Sequence, residues 1–253
     1  MKRFIILLAV FILMASTFMA GSGAAAESNA SAAAIGDTVY FGQYEQGLSC
    51  AGEQSPIEWT VLDERDGMLL LISKTGLETG SINSKKQRAT WEQSSIRAWL
   101  NCDFFSQAFS EEEQCAIMET TVSTPAGCFV SPATGETIQI AECPDTQDLI
   151  FLLNVAEVVQ YFPDECQRMI ENNSYLLDKP ESTMPYPAEG DACDFTYGNW
   201  WLRDVRTDKG INCVFHVKSY GKIASAGQIN LKRYVIRPAM WVDASYPFEM
   251  SWN

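Results

Sequence analysis

The sequence predicts an α+β fold, a single domain with strands first, helices in the middle and strands again at the end. Three observations carry this. Apolar and polar residues alternate near both ends of the exported chain, helical spacing dominates the middle, and no strand–helix–strand unit recurs. The chain has 253 residues, and about 225 remain after the leader, enough for one domain with a substantial core.

The leader comes first. Lys2 and Arg3 precede an apolar run from Phe4 to about Met14, and small residues follow up to Ala26. Residues 1–26 therefore read as a secretory signal peptide cleaved after Ala26. The alternative is an uncleaved N-terminal anchor, because the apolar character reaches nearly to Ala20, close to the roughly 20 residues of a spanning helix. After cleavage no stable membrane insertion is expected. Residues 27–35 read as a disordered leader and 36–253 as the domain.

Asp37–Tyr44 reads as the first strand. Ile57, Trp59 and Val61 alternate as in a half-buried strand, Asp66-Gly67 turns the chain, and Met68–Ser73 returns it as a hairpin. A helix follows with Thr90 as its cap and Ile96, Trp99 and Leu100 on one face. Phe104, Phe105 and Phe109 extend that face after a break. Ser110–Glu113 forms a capping box for a helix reaching about Met118, and its carboxylates suit the helix dipole better than a metal site. Residues 128–143 read as an inserted hairpin about Thr134–Glu136, which would place Cys128 opposite Cys143. A disulfide between them would add roughly 3 kcal/mol. Leu149–Leu153 reads as a buried strand and Asn154 caps the next helix with Glu157 at N3. Residues 181–198 are rich in Pro, Gly and Asp and read as a long loop. "NWWLR", "NCVFHVK", "GKIASA" and "YVIRPAMWV" are the closing strands.

Without Lys2 and Arg3, 16 basic residues face 32 acidic ones, a net charge of −16, which excludes nucleic acid as a general partner. The basic residues are unevenly spread. Eight of them fall in the 37 positions Trp201–Arg237, against Asp204 and Asp208 alone. The eight cysteines of an exported chain suggest disulfides, yet no Cys-x-x-Cys is present and His216 is the only histidine, so neither a zinc site nor a cofactor is expected. A lone histidine in a strand is a poor candidate for a base, and no phosphate loop or nucleophile elbow appears.

Trp200 and Trp201 could form a sugar platform, but successive strand residues point to opposite faces. At least one belongs in the core, and Trp200, Trp201, Arg203, Arg237 and Trp241 read as a structural core motif. "GDTVYFGQYEQ" (36–46), "IEWTVLD" (57–63), "LLLISK" (69–74), Trp91–Asn101, Phe151–Phe162, Trp-Trp-Leu-Arg (200–203) and Ile-Arg-Pro-Ala (236–239) together carry a resemblance. In these segments the chain resembles a domain-of-unknown-function family of secreted bacterial proteins, and that family resembles the C-type-lectin-like fold shared by formylglycine-generating enzymes. The resemblance implies two or three helices and long irregular loops on paired core strands, and brings no established activity. Asp204-Val205 and Val235 depart from the Ser-Pro and Gly usual in the family. Lectin calcium signatures are absent, as is the cysteine pair expected of the oxidase.

The expected function is non-catalytic ligand binding outside the cell through the basic 204–237 segment. The ligand would be an anionic glycan or an acidic cell-surface protein. Arg206, Lys209, Lys218, Tyr220, Lys222, Lys232 and Arg233 are the candidate contacts. The same cations could instead balance the acidic remainder of the molecule. An extracellular enzyme on this fold, acting on cell-surface or dietary material, and a structural or adhesive surface module are the alternatives.

Overall fold

A computed structural model describes residues 33–46, 53–84, 90–178, 196–207, 213–228 and 230–251, all within the unit Ser31–Asn253; for 226–228 only the backbone is described. The segment expected to be a signal peptide, Lys209, Cys50 and Cys193 lie outside these residues, as does most of the loop expected over 181–198. The fold is α+β with mostly antiparallel strands.

Strand β1 (Thr38–Glu45) pairs with β2 (Gln54–Arg65), and β2 with β3 (Met68–Ser73). The expected alternation holds in β2, where Ile57, Trp59 and Val61 are buried. The connecting turn needs two left-handed residues, and Asp66 (φ 52°) and Gly67 (φ 76°) supply them. Order begins earlier than expected: Ala33 packs on the core, and the Asp37 carboxylate accepts from the Ala34 N–H at 2.9 Å.

After the short β4 (Glu78–Thr79), helix α1 (Ser95–Trp99) continues without a break through a π-type segment, Leu100–Phe104, into α2 (Phe105–Ala108). Ser94, not Thr90, caps α1, accepting from the Arg97 N–H at 3.3 Å. The wider π turn brings Leu100, Phe104 and Phe109 to one buried face despite their spacing. Helix α3 (Glu111–Ala116) has the predicted capping box at Ser110 and Glu113, but ends before Ile117–Met118, which form β5.

Two small sheets follow: β6 (Thr120–Thr124) with β9 (Cys143–Asp148), and β7 (Gly127–Val130) with β8 (Thr137–Ile140). The Cys128–Cys143 disulfide is overturned here. The hairpin register sets Cys128 opposite Gln139, while Cys143 starts β9 opposite Thr124, and both cysteines are free thiols. Near-symmetry of the segment about its turn misplaced the register. Residues 149–153 are buried as expected from Ile150 on, yet only Phe151 makes a β-bridge, to Ala239. Helix α4 (Val155–Tyr161) has the expected Asn154–Glu157 capping box. Helices α5 (Glu165–Arg168) and α6 (Ser174–Leu177) complete the middle, so the helices are more numerous and shorter than the two or three expected.

The closing strands are β10 (Trp200–Val205), β11 (Cys213–Val217), β12 (Ile223–Gln228), β13 (Val235–Ile236), β14 (Ala239–Asp243) and β15 (Glu249–Met250). "YVIRPAMWV" is two strands, not one: β13 joins a five-stranded sheet (β12-β11-β10-β13-β4) and β14 a six-stranded one (β15-β1-β2-β3-β14-β5). Arg237-Pro238 makes the crossing, since proline has no N–H for a ladder. The core is continuous between the sheets, and β10 is buried along its whole length.

Candidate functional site

Both tryptophans that opened the question of a sugar platform are core. Trp200 and Trp201 are 0% exposed, because the sheet holding β10 is covered on both faces. Their indoles are satisfied internally, donating to Arg168 O at 2.9 Å and Gly80 O at 2.7 Å. Arg203, also buried, makes a bidentate pair with Glu157 at 2.5 and 2.7 Å and donates to Thr124 Oγ1 and to the carbonyls of Leu152 and Ser123. One arginine thereby ties β10, β6 and the start of α4 together. Arg237 stacks between Phe162 and Trp200, its guanidinium carbon 5.0 Å from each ring centroid, and Nε donates to Ser73 O at 2.9 Å. Burial lowers its pKa to about 9, so it stays charged at neutral pH. Trp241 differs from the others. It is only part-buried, with Arg65 over its ring at 5.2 Å.

The candidate contacts separate into three groups. Arg206 points inward: it is 5% exposed, pairs with Glu136 at 2.7 Å and donates to Ser225 Oγ at 3.0 Å, bracing β10 against β12 and the β7–β8 turn. Lys218, Tyr220 and Lys222 come together on the β11–β12 turn. Lys218 Nζ donates to the Tyr220 hydroxyl at 2.7 Å, and the two ammonium groups lie 5.1 and 5.6 Å from the Tyr220 ring centre. Lys232, exposed, and Arg233, half-buried, precede β13. Trp200 pairs with Val217 on one side and Val235 on the other, so both basic segments emerge at the same end of this sheet.

The turn is fixed in place. Lys218 N donates to Lys222 O and Gly221 N to Lys218 O, both at 2.8 Å. Asn199 Oδ1 accepts from Ser219 N at 2.7 Å. Gly221 has φ +86°, and a Cβ there would stand 1.8 Å from Glu165 O, so only glycine lets the turn dock on α5.

Beside this turn lies a groove. A cavity of about 320 Å³ is lined by Phe129, Ser131, Pro132 and Ala133 from the hairpin, Val159, Glu165 and Arg168 from the helices, and Lys222 and Ile223. A neighbouring cavity of about 440 Å³ shares Phe129 and Val159 with it, and adds Cys128, Ile140, Val155, Ala156 and Asp204. Asp204 Oδ2 accepts from the Val155 N–H at 2.5 Å, and desolvation pushes its carboxyl up to about 6. Other cavities exist, such as one of about 400 Å³ lined by Tyr44, Glu78 and Trp99, whereas the groove includes the candidate cation Lys222.

His216 stands apart from it, 2% exposed and packed on Tyr234, whose hydroxyl lies 3.3 Å from Nε2. Desolvation lowers its pKa to about 4, which keeps it neutral at physiological pH. Among the described residues, no group of three or more His, Cys, Asp or Glu side chains could hold a metal, and no helix is long and apolar enough to cross a membrane.

A family model described as Domain of unknown function (DUF6273) matches residues 66–244. The chain belongs to this family. The DUF6273 match begins at the β2–β3 turn and ends just past β14, so it takes in the groove and the basic turn. No curated protein and no solved structure matches the chain.

Sequence reasoning missed the groove because its walls come from four separate segments. The available signal was the doublet Val158-Val159. Val158 is fully buried, whereas Val159 is 46% exposed, one apolar residue more than the face of α4 can bury.

Proposed function

We propose that this is a secreted, non-catalytic ligand-binding module on a C-type-lectin-like scaffold, taking an anionic glycan or the acidic face of a cell-surface protein. One observation carries the reading. The rigid Lys218–Tyr220–Lys222 turn stands at the lip of the groove, with Lys222 exposed and lining it. An otherwise acidic molecule presents here a cationic, aromatic edge beside a concavity, which suits a ligand with both negative charge and apolar surface. Lys232 and Arg233, at the same end of the sheet, extend the positive field; Arg206 is a brace and takes no part. The scaffold reading rests on the sequence resemblance, the pairing of β1 with β15 at the two ends of the domain, and irregular connections between two sheets.

A glycan array at low and high salt tests the proposal. Salt-sensitive binding that is lost on Lys218→Glu with Lys222→Glu is the expected result. Binding indifferent to salt and to both reversals overturns it. One observation favours the second reading, an extracellular enzyme: Asp204 is a buried acid on the groove wall. Hydrolysis of an arrayed substrate, abolished by Asp204→Asn, would decide for it.

A further inference from the structure

Among the described residues, strand β7 of the hairpin pairs with β8 alone. Ser131 N donates to Glu136 O at 2.9 Å, and the outward groups of β8 and of the residue after it bond elsewhere: Gln139 O accepts from Thr207 N, and Ala141 N donates to Val205 O. In an antiparallel ladder, hydrogen-bonded and non-bonded pairs alternate. The bonded pairs of the hairpin are therefore Phe129–Ile138 and Gly127–Ile140, and Cys128 faces Gln139 and Val130 faces Thr137 without bonds between them. It follows that the N–H and C=O groups of Cys128 and Val130 point away from β8, and neither residue has another backbone partner among the described residues. Below this edge runs the groove, with α4 as its far wall. Val159, on that wall, is 46% exposed, and Val130, next to Phe129 in β7, is 55% exposed; they are two of the five large exposed hydrophobics among the described residues.

Unpaired strand groups beside an apolar trough form a template for one more strand. We infer that β7 receives an extended peptide segment of a partner protein, which adds as a strand along Cys128 and Val130. Its alternate side chains enter the groove between Phe129 and Val159, and a carboxylate at one end meets Lys222. Side chains of an added strand point alternately down and up, so every second residue is apolar and the others face solvent. The charge complement is local: the cavity at the turn end carries Lys222 and Arg168 against Glu165 alone. The carboxylate rests on the anionic-ligand reading above, whereas the strand pairing stands on the backbone geometry by itself.

Hydrogen exchange of the full domain with a blocked hexapeptide pool, randomised over valine, isoleucine, threonine and aspartate, tests this. The Cys128 and Val130 amides should exchange at least about tenfold more slowly with the pool present, while Phe129, already bonded to β8, stays unchanged. Val159→Lys, at an exposed helix position and checked for an unchanged circular dichroism spectrum, should abolish that protection. A pool N-methylated at every residue has no N–H on either edge and should fail to protect. Bound peptides should be enriched in aspartate, and Lys222→Glu should remove the enrichment but keep the protection. Unchanged exchange at Cys128 and Val130, or protection that survives N-methylation, overturns strand addition. Protection without aspartate enrichment upholds strand addition and counts against the anionic-ligand reading. Salt-sensitive glycan binding without any peptide protection does the reverse.

Discussion

Replacing Asp204 with asparagine should make the domain more stable at neutral pH, and the gain should depend on pH in a defined way. Asp204 is 3% exposed, and desolvation raises its carboxyl from the ordinary 3.8 to about 6. Because the folded pKa lies above the unfolded one, the stability this group provides is fully present below 3.8 and lost as pH rises through about 6. One pKa unit is worth about 1.4 kcal/mol, so the loss is about 3 kcal/mol. His216 has the opposite sign. Desolvation lowers its pKa from 6.5 to about 4, so its stability is present above 6.5 and lost as pH falls through about 4. That loss is also about 3 kcal/mol. The two slopes oppose each other over nearly the same window, and wild type should show little pH dependence from this pair. Asparagine keeps an acceptor for the Val155 N–H and removes the buried charge. Urea unfolding of both proteins between about pH 4 and 7 reads the difference, which should grow by about 3 kcal/mol in favour of the variant as pH rises. A difference that stays constant across the window would refute the argument.

Further outcomes follow from the same geometry. Gly221→Ala forces a Cβ toward Glu165 O and a left-handed alanine, so thermal unfolding should show a loss of about 2 kcal/mol or more and ligand binding should weaken with it. An unchanged melting temperature would show that the turn is not docked. Glu157→Gln leaves the Arg203 guanidinium buried without its counter-charge and should cost about 3–5 kcal/mol in denaturant unfolding. Thiol titration of the native, reduced domain should modify Cys102, Cys115, Cys128 and Cys166 readily, and Cys143 only after denaturation. Rapid labelling of Cys143 would contradict its placement in β9. Trp200→Ala should cost about 3–5 kcal/mol, and Trp241→Ala clearly less, since only the former is fully buried.

Local grammar was legible in the sequence wherever one segment contains the whole physical cause. Both capping boxes, Ser110–Glu113 and Asn154–Glu157, need only residues three apart, and both form. The Asp66-Gly67 turn and the alternation through Trp59 are equally local. Register and partnership are not, because they depend on what lies across the ladder. Cys128 and Cys143 were set against each other by symmetry about the turn, yet Cys128 faces Gln139, four residues earlier, and Cys143 goes to β6. Arg206 and Lys222 look alike in sequence. Glu136, 70 positions away, draws one inward, while the other stays at the lip of the groove. The sequence by itself determined the α+β class, the starts of α3 and α4 and the basic closing segment, because periodicity and caps act within a few residues. Only the tertiary structure decided which cations reach solvent, that both Trp200 and Trp201 are enclosed, and where a groove opens. Those depend on which distant segment comes to lie within a few ångströms, and no spacing along the chain encodes that distance.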